Sequence, residues 1–93
     1  MAQHAFEMAL TRAEFLRLLP AAVQCAIEES AGEIRGESAS VSWRITLVEL
    51  EPRRIALLSL PRLNVTLRID AASDAVANEW LRRFQLGYQR AGG

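Results

Sequence analysis

Apolar and polar residues alternate along most of this chain. From Val41 to Asp70 the sequence reads VSWRITLVELEPRRIALLSLPRLNVTLRID, with almost unbroken strand character. Val41, Trp43, Ile45 and Leu47 fall on one side of a strand, and Ser42, Arg44 and Thr46 on the other. A period of two predicts a half-buried strand. The phase breaks at Leu47-Val48, because Val48 and Leu50 point the opposite way; a β-bulge there would restore it. Glu51-Pro52-Arg53-Arg54 places proline where its fixed φ suits a type I turn, so the chain is expected to reverse there. Clean alternation returns with Leu63, Val65, Leu67 and Ile69 against Arg62, Asn64, Thr66, Arg68 and Asp70. Ile55 and Leu57 share that odd-numbered phase, which favours one long strand to Asp70, bent at Pro61. Proline cannot donate to a ladder and belongs at an edge or bulge. A turn over Leu60–Leu63 and one more strand is the alternative.

The flanking segments read as cover for this ribbon. Ala2–Leu10 alternates, with Phe6, Met8 and Leu10 on one side and Ala5, Glu7 and Ala9 on the other. Thr11-Arg-Ala-Glu14 is a capping-box pattern, and Phe15, Leu18 and Leu19 form the buried stripe of the helix it starts. Pro20 disfavours helical geometry in the residue before it and is expected to end the helix at Leu19; a restart with Pro20 as first helical residue is the alternative. Val23, Cys25 and Ile27 alternate with Gln24, Ala26 and Glu28, which predicts a second strand. Ser30-Ala31-Gly32 supplies a turn, Glu33–Glu37 a third strand, and Glu37–Ser40 a polar connection. Ser73 is placed to cap a last helix with Asp74 in its first turn. Val76, Ala77, Trp80, Leu81, Phe84 and Tyr88 form that helix's apolar face, Glu79 can pair with Arg83 one turn later, and Gly87 weakens its end.

The predicted order is β-α-β-β-β-β-α, an α+β domain with a single antiparallel sheet and two helices on one face. In element order it resembles TATA-binding-protein-like and helix-grip domains. No motif of either family is present, so the resemblance implies a fold and carries no function. Residues 1–88 are expected to form one domain and 89–93 a flexible C-terminal tail.

Composition narrows the chemistry. The eleven basic residues are all arginine, balanced by eleven acidic residues for a net charge of zero, so nothing demands a polyanionic partner. Without lysine there is no Schiff-base amine and no phosphate-loop lysine. One cysteine, Cys25, excludes an internal disulfide, which fits a reducing, cytoplasmic setting. The N-terminal sequence lacks the basic start and long apolar run of a signal peptide, and no apolar run is long enough for a membrane span. A single histidine, no Ser/His/Asp set, no His/Cys cluster and no glycine-rich phosphate loop argue against an enzyme. No cofactor, catalytic group or metal ligand is expected. His4 reads as a strand-end side chain, and Cys25, between Val23 and Ile27, as a small core residue.

Four candidate sites remain. The segment around Pro52 is apolar on both sides, with Leu47, Ile55 and Leu57 against Val48, Leu50, Leu58 and Leu60. Two helices cannot cover both, so Val48, Leu50, Leu58 and Leu60 are the candidate interface of a homodimer or protein partner. Arg44, Arg62 and Arg68 share the polar sheet face and form a candidate anion-binding set; a solvated face is the plainer reading because Glu7 and Glu28 can share it. A pocket near Trp43 could hold a small apolar ligand, although so short a chain leaves little room. The terminal Gly92-Gly93 resembles the tail of ubiquitin-like sulfur carriers and modifiers, which implies an activated C-terminal carboxylate; those proteins have a β-grasp fold, and their tail leaves a strand rather than a helix. The reading these features support best is a small non-enzymatic accessory or protein-interaction domain, homodimeric and cytoplasmic. The alternatives are a small-ligand or nucleic-acid-binding module on the open sheet face, and a carrier acting through Gly92 and Gly93.

Overall fold

A computed structural model describes residues 2–38 and 40–90. The elements are β1 (Ala2–Met8), α1 (Arg12–Val23), β2 (Glu28–Ser30), β3 (Glu33–Ser38), β4 (Val41–Ile55), β5 (Leu58–Ala71) and α2 (Asp74–Arg90). The strands form one antiparallel sheet in the order β1-β5-β4-β3-β2. This is the predicted α+β architecture, with β1 returning to pair with the last strand.

The expected core assembles on one sheet face. Val41, Trp43 and Ile45 of β4 pair with Ala71, Ile69 and Leu67 of β5, and directly opposed residues share a face. These side chains, with Leu63, Val65 and Ile34, are buried except for half-buried Ala71. α2 lays a ladder of aromatics on them, as its four-residue spacing predicts. Trp80 stacks on Phe84 at 5.4 Å between ring centroids and approaches Trp43 at 5.8 Å. Tyr88 stacks on Phe15 of α1 at 4.8 Å, and its hydroxyl donates to the Phe15 carbonyl at 3.0 Å. Burial raises the Tyr88 pKa above its ordinary value, so the phenol stays protonated and remains a donor. Gly87 has a packing role: a Cβ there would lie 3.0 Å from both Cα and Cβ of Ala22, so its absence lets α1 approach α2 closely.

Both helix starts form as their sequences require. The Thr11 amide donates to Glu14 Oε1 at 3.0 Å, and the Glu14 amide donates to Thr11 Oγ1 at 3.1 Å, completing the capping box. The Val76 amide donates to Ser73 Oγ at 3.3 Å. Glu79 accepts from Arg82 as well as from the expected Arg83.

Four local expectations are corrected. α1 does not stop at Leu19; it passes through Pro20 to Val23 and ends where Gln24 adopts a left-handed φ of 53° and its backbone amide donates to the Pro20 carbonyl at 2.8 Å. Pro20 is exposed, so water can reach the Leu16 carbonyl that loses its donor. Burial of Leu19 and Val23 in the core favours the extra turn over the local cost of proline. Consequently there is no strand over Val23–Ile27; that segment ends the helix and crosses to the sheet edge, and β2 is only Glu28–Ser30. Cys25 and Ile27 are half-buried against the core from this crossing. Third, the chain reverses at Ala56-Leu57 and not at Glu51–Arg54. Fourth, the bulge lies between Leu50 and Arg53 and not at Leu47-Val48. One strand does run through Pro61, as expected, but it starts at Leu58 and not at Ile55: Ile55 ends β4 and Leu57 lies in the turn. α2 runs to Arg90, two residues into the expected tail.

Gly36 of β3 lies tight against the core. A Cβ there would fall 2.5 Å from Cζ2 of the buried Trp43 indole and 3.0 Å from the Ala26 carbonyl oxygen. Neither neighbour can yield without disturbing the core, so Gly36→Ala is expected to lower stability by about 1–3 kcal/mol. Urea unfolding measures this directly, and an unchanged midpoint would show that the indole has room to move.

Candidate functional site

The bulge explains the geometry of the first candidate site. Leu50 pairs with Arg62 and Arg53 with Leu60, so Glu51 and Pro52 together oppose Pro61. Neither proline has an N–H to donate, and the ladder is interrupted where two non-donors meet. Arg62 repairs part of the loss: its Nη1 donates to the Glu51 carbonyl at 3.3 Å. The extra residue also shifts the phase of β4. Ile55, which shares the core-facing phase of Ile45 before the bulge, now pairs with Leu58 on the opposite face.

The arm beyond the sheet body is therefore apolar on one face, not on two. β1 pairs with β5 only as far as Met8–Leu63, and β3 reaches β4 only as far as Glu33–Thr46. Past those points β4 and β5 continue as a two-stranded ribbon. A 15-residue strand spans roughly 50 Å, which accounts for the 47 Å long axis of the molecule. Pair by pair, the ribbon face turned away from the helices carries Leu50, Arg53 and Ile55 from β4, with Arg62, Leu60 and Leu58 from β5, and Val48 and Asn64 continue this face at its base, where β1 still pairs with β5. Val48 is 50% exposed, Ile55 52%, Leu58 65% and Leu60 40%, and Leu57 at the tip is fully exposed. The other ribbon face carries Glu49, Arg54 and Ser59. All four candidate interface residues lie together, and Ile55 joins them because of the bulge.

The second candidate set is divided. Arg44 and Arg68 are direct cross-strand partners. Arg62 lies six residues further along β5, at the base of the arm, where its Nη2 donates to Glu7 Oε1 at 2.7 Å. In its place Arg35 joins the set, because β3 pairs Arg35 with Arg44. Arg35, Arg44 and Arg68 thus stand side by side on three adjacent strands. They border a concavity of about 750 Å³ together with Ser42, Glu37 and Asp70. The cue for Arg35 was the length of the connection before Val41. A tight turn pairing Ser38 with Val41 brings Arg35 opposite Arg44, whereas a connection starting at Glu37 leaves the register open.

The remaining candidates contribute little geometry. His4 lies half-buried opposite Leu67, its ring stacked on Phe6 at 6.3 Å. Trp43 is only 1% exposed, and Trp80 packs against it where the sequence suggested a ligand pocket under the helices. Gly92 and Gly93 lie outside the described residues. Among the described residues, no helix is long and apolar enough to cross a membrane. Compared with known proteins, the chain matches no family model and no curated sequence.

The Glu7–Arg62 pair ties β1 to the base of the arm and has a pH signature. The hydrogen bond from Arg62 holds the Glu7 carboxyl below its ordinary value of 4.5, with Arg53 adding a smaller attraction. A carboxyl depressed in the folded state contributes stability above its unfolded pKa and loses it as pH falls through the folded value. Glu7→Gln is therefore expected to reduce stability at neutral pH slightly and to flatten the loss seen as pH drops below 4.5. Thermal melts of both proteins across that range read the difference, and parallel acid profiles would show that the pair contributes nothing.

Proposed function

We propose that this protein is a small, cytoplasmic, non-enzymatic interaction domain that works as a homodimer, with the apolar face of the β4–β5 arm as its interface. The exposed cluster of Val48, Ile55, Leu58 and Leu60 carries the reading. An isolated two-stranded ribbon is marginally stable in water. This one extends beyond its sheet with aliphatic side chains on one face, and no layer of the described residues covers them. A second copy supplies that layer. Two arms stacked face to face about a two-fold axis, about 10 Å apart, form a small two-layer sandwich.

Charge is compatible with this pairing. The net charge is zero, so copies do not repel one another through their overall fields. The arm offers fewer residues than the ~20–30 a side of a standard interface, so the dimer is expected to be of micromolar rather than nanomolar strength. The half-buried single cysteine and the absence of any disulfide requirement support the cytoplasmic setting.

Sedimentation velocity over a concentration series tests the proposal. The wild-type chain should shift from monomer to dimer in the micromolar range, and Leu58→Glu or Leu60→Glu should stay monomeric. Both positions are exposed in the single chain, so these substitutions should leave its stability within about 0.5 kcal/mol. A wild-type chain that remains monomeric at the highest soluble concentration would refute the reading.

A further inference from the structure

The row Arg35–Arg44–Arg68 is unfavourable for the sheet that carries it. Each member directly opposes the next, and like charges in directly opposed positions on neighbouring strands destabilise the pairing. The protein's own carboxylates neutralise the row only loosely. Arg35 Nη2 meets Glu28 Oε1 at 3.2 Å, and Arg44 Nε lies 3.9 Å from Glu33 Oε1. Among the described residues Arg68 makes no ion pair. Each guanidinium presents five N–H donors in a planar fork, so among the described residues most of the donors in this row have no acceptor. They border the 750 Å³ concavity, which also holds the Ser42 side chain.

We propose that this concavity binds a small, multiply charged oxyanion, a metabolite bearing two or more phosphate or carboxylate groups, with Arg44 at the centre of the site. The inference rests on the arginine row and is independent of self-association. Planar guanidinium forks match the geometry of both oxyanions and bind them bidentately. Strands ~4.8 Å apart place successive forks at a spacing suited to linked anionic groups. The surroundings set the size of the ligand. Glu28 closes one end of the row, and Glu33, Glu37 and Asp70 stand in the flanking rows of the same face. A nucleic-acid strand continuing past the arginines would meet these carboxylates, whereas a compact anion would not.

Calorimetric titration of the full chain with pyrophosphate and with citrate tests the site and separates a phosphate ligand from a carboxylate one. Saturable binding of either is expected. Arg44→Gln should weaken it by at least about tenfold, equivalent to about 1.4 kcal/mol, while Arg83→Gln, exposed on α2 and away from the row, leaves it unchanged. A second readout keeps the test independent of folding. Without anion, Arg44→Gln should melt no lower than wild type, because it removes a like-charge contact; the better-binding anion should raise the wild-type midpoint and leave that of the variant in place. The proposal is overturned if neither anion binds at millimolar concentration, if Arg44→Gln binds as tightly as wild type, or if a single-stranded oligonucleotide binds more tightly than both.

Discussion

β4 and β5 pair along nearly their whole length, and that pairing creates the surface on which the domain is built. It places Trp43 and Ile45 beside Leu67 and Ile69 on one face, all essentially inaccessible to water. α2 packs its aromatic ladder against that face, and α1 is held to α2 by the Phe15–Tyr88 stack and the Tyr88 hydrogen bond. β1 and β3 then extend the sheet on either side. Because burial of apolar area is the main favourable term in folding, a break in the pairing over residues 41–47 would remove the platform for every other element.

The same two strands continue past the body of the sheet, and there their role changes. Without β1, β3 or a helix alongside, the ribbon has no core to contribute to. The bulge opposite Pro61 gathers its aliphatic side chains on a single face. A ribbon apolar on both faces would need two covering layers, and one apolar on a single face needs only one. The bulge thus converts an exposed hairpin into a surface suited to a flat partner.

Much of the fold was legible because it rests on local rules. Period-two alternation identified β1, β4 and β5, the capping box located the start of α1, and the four-residue spacing of Trp80, Phe84 and Tyr88 located the packed face of α2. The failures came where a local preference met a tertiary one. Pro20 is a valid stop signal by itself, but Val23 gains a buried position if the helix continues. Once it does, the alternation of Val23, Cys25 and Ile27 reports contact with the core from an irregular segment rather than a strand. Pro52 is likewise a sound turn residue; opposite Pro61 it is better accommodated in a bulge.

Sequence by itself determined the class of fold, the composition of the core, both helix caps, and the presence of surplus aliphatic residues around Pro52, since each follows from short-range periodicity or from a side chain bonding within its own turn. Only the tertiary structure decided which strands neighbour one another and in what register. Register has no signature within one strand, because it is set jointly by turn lengths and by bulges where two chains of donors and acceptors meet. That is why Arg35, on another strand, completes the row, and why Glu7 of β1 meets Arg62; the distance of Arg62 from Arg68, by contrast, follows from their six-residue spacing on one strand, roughly 20 Å. It is also why the Val48–Leu60 arm carries one apolar face, a property created by the single extra residue that two opposed prolines impose on β4.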